Sequence, residues 1–222
     1  MMPQDQPQNQ RQRQRRDMLR LMSALPLLSI PLPLSLSLSL LPVASASAGT
    51  AVVDGTLGGH GYFYPPVLLP DFGVTDHTGK HASFRQILHG HISLVQLIFT
   101  SCSNVCPIQG ATFSQLQELI PAAHRSKVQL LSITIDPLND NPEALAAWLK
   151  QFNPQPMWKA LRPDIKAIDT VRQLLNQNKT DVNSHLSEVL LVDASSKLVW
   201  RSSELPSSEA LADKVLALFV KR

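Results

Sequence analysis

The sequence predicts an α/β fold with a central mixed sheet flanked by helices, and three observations carry that expectation. The runs ISLVQLIFT (92–100) and VQLLSITID (128–136) are almost continuously apolar, the mark of strands covered on both faces. Each precedes a segment whose apolar residues recur at helical spacing, and such a β-α-β-α order builds a parallel core. Two late runs, LSEVLLVD (186–193) and LVWRS (198–202), face each other across the turn ASSK and lead into SSEALADKVLALFVK (207–221), a hairpin followed by an amphipathic helix.

The elements can be taken in order. LPDFGVTDHTGKHASFRQIL (69–88) alternates apolar and polar residues around the turn signal His77-Thr78-Gly79, which predicts a short hairpin and then a helical turn. After the first buried strand, PIQGATFSQLQELI (107–120) sets Phe113, Leu116, Leu119 and Ile120 on one helical face, and Pro107 suits a first turn. After the second, NPEALAAWLKQF (141–152) predicts a helix with Asn141 as N-cap, Pro142 at the first helical position and Leu145, Trp148, Leu149 and Phe152 facing inward. DIKAIDTVRQLLNQ (164–177) predicts a further helix ahead of the hairpin. A parallel half, an antiparallel hairpin and a last helix, in that order, are thioredoxin-like.

What precedes this domain reads as an address and a connector. Residues 1 to 20 are polar and Arg-rich, 21 to 44 are an uncharged Leu/Ser/Pro run, and ASASAG (44–49) offers small-residue cleavage sites after Ala46 or Ala48, the three-part pattern of a secretory signal. RRDMLR (15–20) resembles a twin-arginine signal. An N-terminal membrane anchor is the alternative, and Pro26, Pro31, Pro33 and Pro42 interrupt such a helix. The expected organisation is therefore a signal peptide or anchor over 1–48, a Gly/Ala/Pro-rich arm over 49–66 and the folded domain over 67–222. The protein is expected to be exported, periplasmic or facing the periplasm, with membrane contact only through an uncleaved leader. The net charge of +3 resides in the leader, where five arginines face two aspartates; from Leu21 onward 15 basic residues balance 15 acidic ones. With no basic field left on the domain, a nucleic acid partner is excluded.

Both cysteines of the chain, Cys102 and Cys106, stand in FTSCSNVCP (99–107), between the first buried strand and its helix. A thiol at a helix start faces unpaired N–H groups and the positive end of the dipole, which favours the thiolate as nucleophile or metal ligand. Two thiols across this turn can share one soft metal ion or close a disulfide. As a purely structural disulfide the pair would close a very small loop and stabilise little. Two thiolates leave a metal under-coordinated, so a third ligand is sought among the seven histidines. His60, His77, His81, His89, His91 and His124 fall in the arm, in turns or at element ends, where solvation is the usual state. His185 stands directly ahead of the late strand, beside the cysteine loop in a thioredoxin-like arrangement.

Together, FTSCSNVCP (99–107), LLSITIDPLNDNPEALAAWLKQF (130–152) and HLSEVLLVD (185–193) resemble the Sco/SenC family of copper-binding, thioredoxin-like proteins that serve cytochrome c oxidase assembly. The resemblance spans about residues 67 to 222. It implies Cys102, Cys106 and His185 as ligands of copper, Cu(I) and/or Cu(II), and a metallochaperone that delivers copper to the CuA centre of the oxidase or to a related cuproenzyme. It implies as partners an apo copper-acceptor protein, such as an oxidase subunit, and a thiol reductant. The chain departs from many family members in having Ser184, not aspartate, directly before the histidine, with Asp181 four residues ahead of it. Two other classes stand beside this one: a thiol-disulfide reductase or thiol peroxidase with Cys102 and Cys106 as its redox-active pair, and a non-catalytic interaction domain. Thioredoxin-type redox pairs usually have two intervening residues, and here there are three.

Overall fold

The computed structural model describes residues 60–174 and 187–220. The predicted leader, most of the arm and His185 lie outside the described residues.

Strand β1 (Gly61–Leu68) comes first, followed by the hairpin β2 (Gly73–Asp76) and β3 (His81–Ser83). A single-turn helix α1 (Phe84–Leu88) starts at a reciprocal cap, Ser83 accepting from the Gln86 N–H and the Gln86 side chain accepting from the Ser83 N–H. The core units are β4 (Ile92–Ile98) with α2 (Val105–Leu119), and β5 (Val128–Thr134) with α3 (Pro142–Lys150). Then come β6 (Trp158–Pro163), a 3₁₀ turn (Ile165–Ala167) running into α4 (Ile168–Leu174), the hairpin β7 (Val189–Val192) and β8 (Lys197–Arg201), and α5 (Ser208–Val220).

The eight strands among the described residues form one mixed sheet in the order β1-β8-β7-β4-β5-β6-β2-β3. β4, β5 and β6 are mutually parallel, and β7 runs antiparallel to β4. Every residue of β4 and β5 is buried, as their unbroken apolar runs require of strands covered on both faces. Polar side chains on them meet across the register: Gln96 Nε2 and, from β6, Trp158 Nε1 both donate to Ser132 Oγ, at 2.9 and 3.0 Å, and Gln129 Nε2 donates to Ser93 Oγ at 2.9 Å. Above the sheet, Phe113 of α2 meets the Trp158 ring edge-on at 5.8 Å, and Trp148 of α3 does so at 6.3 Å. Phe152, just past α3, lies against Gly110 of α2 so closely that a Cβ on that glycine would fall 2.3 Å from the ring. The missing side chain lets the cysteine-bearing helix settle onto α3.

Three sequence expectations change, and one strand is added to them. Residues 61–66, expected within an irregular arm, form β1, which pairs with β8. β6 carried no expectation, because Lys159 and Arg162 interrupt its apolar pattern. The helix expected over 164–177 opens as a 3₁₀ turn and becomes α-helical only at Ile168. The helix expected from Pro107 starts at Val105, which places Cys106 inside its first turn.

Candidate functional site

The site is built at the C-terminal ends of the parallel strands. The chain leaves β4 at Ile98, turns back with the Cys102 N–H donating to the Phe99 carbonyl at 3.1 Å, and enters α2 at Val105. Asn104 occupies the cap position yet makes no side-chain capping bond. The sulfur of Cys102 takes that place: the Cys106 N–H points at Cys102 Sγ from 3.5 Å. A helix start leaves its first N–H groups without partners within the helix, and here a thiol sits over them.

The two thiols are free and differ in environment, Cys102 being half-buried and Cys106 fully buried. Burial pushes Cys102 up, but hydrogen bonds from the Cys106 thiol and from the backbone N–H groups of Cys106, Asn104 and Val105 outweigh it and hold the thiol below its ordinary value of 9.0. Burial pushes Cys106 up to about 12, reinforced by its own donation to Cys102 and by the negative charges of Cys102 and Asp140. One sulfur is therefore the more acidic and more accessible of the two, and the other is a protonated donor behind it.

Sequence reasoning passed over Asp140, which closes the site from below. It is 2% exposed. Its carboxylate accepts from the Thr100 N–H at 3.1 Å and from the hydroxyls of Thr100 and Thr134, joining the cysteine loop to the end of β5. Asp136 N–H in turn donates to Thr134 Oγ1 at 2.9 Å, and the Asp140 N–H donates to the Asp136 carbonyl at 2.9 Å. The available signal was an acidic residue four past Asp136, inside the turn between a buried strand and a capped helix.

The histidines divide as follows. His60 Nε2 lies 2.9 Å from Glu188 Oε1, His81 Nε2 lies 3.4 Å from Asp164, His91 Nδ1 is 3.1 Å from the His89 carbonyl, and His124 stacks on Phe219 at 4.0 Å. Among the described residues no three His, Cys, Asp or Glu side chains gather as a metal site. Val189 pairs with Gln96 near the C-terminal end of β4, so the chain enters β7 beside the cysteine loop, and His185 precedes Val189 by four residues.

Comparison with known proteins decides the lineage. The SCO1/SenC family pattern matches residues 64–219. The chain belongs to the SCO1/SenC family. It is similar to a SCO2-like protein of Rickettsia typhi, 37% identical over 87 residues that cover 38% of this chain and 40% of the relative. The chain thus spans about two-fifths of that relative's length. Its fold matches that of Bradyrhizobium japonicum ScoI with copper bound, with a TM-score of 0.57 at 22% identity, over 68% of this chain and 99% of the other. It also matches BsSco, described as having a disulfide switch and as a member of the Sco family of cytochrome c oxidase assembly proteins, with a TM-score of 0.58 at 19% identity over 71% and 96% of the two chains. These likenesses bear out the thioredoxin-like mixed sheet. No helix among the described residues is long and apolar enough to cross a membrane.

Proposed function

We propose that this chain is a copper metallochaperone that holds the ion as cargo on Cys102, Cys106 and His185 and passes it to the CuA centre of cytochrome c oxidase or to a related acceptor. The observation that carries the reading is the pair of unlike thiols over the first turn of α2, one held below 9.0 and half-buried, the other buried behind it. Thiolates select soft Cu(I), and one imidazole completes a site that is tight yet open to ligand exchange. Loading releases the proton of Cys106, so the thiol with the high pKa makes retention depend on pH. Relatives named for copper and for oxidase assembly support the same reading. Export through the 1–48 leader, with maturation near Ser47 or Gly49, places this chemistry where an oxidase acceptor and a thiol reductant meet it.

A copper titration of the reduced protein tests the proposal. One ion per chain is expected, with Cu(I) retention nearly abolished in Cys102→Ser and Cys106→Ser, because a hydroxyl is a poor donor to a soft ion. His185→Ala should keep weak Cu(I) binding and lose Cu(II), while His91→Ala and His124→Ala behave as the unsubstituted chain. Unchanged Cu(II) affinity and visible spectrum in His185→Ala would remove that residue from the ligand set.

The thiol asymmetry also favours a second reading, disulfide reduction of an apo acceptor. The Cys102 thiolate attacks the acceptor disulfide and forms a mixed disulfide. Cys106 then displaces the acceptor, its proton going to the departing thiolate, which leaves the acceptor reduced and a Cys102–Cys106 disulfide behind. Turnover of a disulfide substrate without metal would favour this reading over delivery.

A further inference from the structure

At the end of the sheet opposite the thiols the chain forms a cleft of about 480 Å³, a size within the range of small-molecule sites. Ile92 pairs with Val128 and Leu130 with Trp158, so the segments entering the three parallel strands lie side by side. The first contributes His91, the second Arg125 and Gln129, the third Lys159. Val128 and Met157, 1% and 8% exposed, supply an apolar lining between them. Among the described residues no Asp or Glu lines the cleft.

Its two cations are held in place and left largely unneutralised. Arg125 Nε donates to the Ile120 carbonyl at 2.9 Å, which anchors the guanidinium by the inner nitrogen. The carboxylate beside it, Glu118, stays 3.9 Å from Nη2, is 62% exposed, and accepts through Oε1 from Gln155 Nε2 at 2.6 Å. Lys159 is half-buried, and its Nζ has no ion-pair or hydrogen-bond partner among the described residues. Two acceptors accompany the cations. Gln129, 3% exposed, donates through Nε2 to the Ile87 carbonyl at 2.7 Å and to Ser93 Oγ at 2.9 Å; a carbonyl only accepts, so the amide is fixed with Oε1 as the atom left for a ligand. His91 Nδ1 lies 3.1 Å from the His89 carbonyl, so that nitrogen carries the proton and Nε2 of the neutral ring accepts.

We propose that this cleft binds a small hydroxylated organic anion, a hydroxycarboxylate or the phosphate ester of a polyol. Arg125 and Lys159 meet its charge, Gln129 Oε1 and His91 Nε2 accept from its hydroxyls, and Val128 and Met157 pack against its carbon skeleton. Charge-assisted hydrogen bonds to partly desolvated cations are the strong ones, and a guanidinium matches carboxylate and phosphate alike. The nearly buried amide adds selectivity, because a ligand without a donor leaves its oxygen unpaired. The same two cations repel a metal ion, so this is no second copper site. It shares no residue with the thiol site, and nothing in it rests on the copper reading.

The test titrates the full chain with citrate, glycerol phosphate, succinate, inorganic phosphate and glycerol at constant ionic strength, following backbone amide chemical shifts. Citrate or glycerol phosphate should give saturable shifts confined to residues 91–93, 125–129 and 155–159, and which of the two binds distinguishes a carboxylate ligand from a phosphate one. Lys159→Gln and Arg125→Gln should each weaken that binding about tenfold, the loss of one hydrogen bond to a charged group, with Cu(I) retention unchanged. Lys159 Nζ holds nothing else among the described residues, so its variant serves if the arginine one does not fold. Succinate and inorganic phosphate, which lack the hydroxylated skeleton, should bind about fivefold more weakly. No saturable shift with either citrate or glycerol phosphate, or shifts that both substitutions leave unaltered, would overturn the site. Equal binding of succinate and inorganic phosphate would overturn the part given to the acceptors and the apolar lining, and equal binding of glycerol the part given to the cations.

Discussion

Two buried carboxylates stand at the same end of the sheet and are held by opposite means. Asp140, 2% exposed, accepts from a backbone N–H and from two threonine hydroxyls. Glu188, 4% exposed, faces the Arg201 guanidinium and the His60 ring. The partners of Asp140 lie within 40 residues of it and on the two central strands' own exits, whereas Glu188 reaches 128 residues back along the chain to His60. Neutral donors suffice where the sheet register already brings the groups together. Glu188 instead faces a guanidinium from the neighbouring strand of its own hairpin, and there the desolvation cost of each ion makes the loss of either partner severe.

The widest test of that contrast is removal of one ion. Arg201→Met alone leaves Glu188 as a stranded buried charge and should cost about 3–5 kcal/mol in thermal or denaturant unfolding, while adding Glu188→Leu should recover most of it. A paired variant no more stable than the single one would show that the two groups do not act as a pair. Asp140→Ala orphans hydroxyl and N–H donors and should cost about 1–3 kcal/mol; Asp140→Asn, which keeps an acceptor, should cost less. Both effects should be nearly independent of salt.

The thiols supply the smallest and most local test. Near pH 8 a neutral alkylating reagent should modify one sulfur per folded chain, at Cys102, because its pKa is held below 9.0 and that of Cys106 is about 12. Equal labelling of both would refute the asymmetry. The signs for stability are opposite. Cys106, raised in the folded state, contributes stability that is whole below 9.0 and lost as pH rises toward 12. Cys102, lowered, contributes stability above its unfolded value that is lost as pH falls through its folded one. A melting curve that declines from pH 9 to 12 and is flattened by Cys106→Ser would show the first.

The parts of this fold legible in the sequence are those whose cause is local. β4 and β5 announce themselves because every side chain is buried, and α3 because Asn141 and Pro142 write its start in two adjacent residues; Asn141 Oδ1 accepts from the Ala144 N–H at 2.8 Å. β6 escapes because half-exposed Lys159 and Arg162 alternate with buried neighbours. β1 escapes because its partner, β8, lies far along the chain. In the site the two cysteines are evident from spacing alone. Asp140 is hidden because its role depends on β4 and β5 ending side by side, with Ile98 opposite Thr134. The Arg201–Glu188 pair is hidden for a like reason: each sits in a segment that reads as ordinary strand.

The two ends of the sheet also decide how safely this protein can be concentrated. An open strand edge is a template on which a second chain can extend the sheet. Here one border is β3, only three residues long. The other is β1, whose exposed Tyr62, Tyr64 and Leu68 would otherwise invite such growth, and its middle is Pro65-Pro66, two consecutive residues with no N–H to offer. Among the described residues, an incoming strand meets a gap in the donor ladder at the centre of the longer border, which works against extension of the sheet by a second chain.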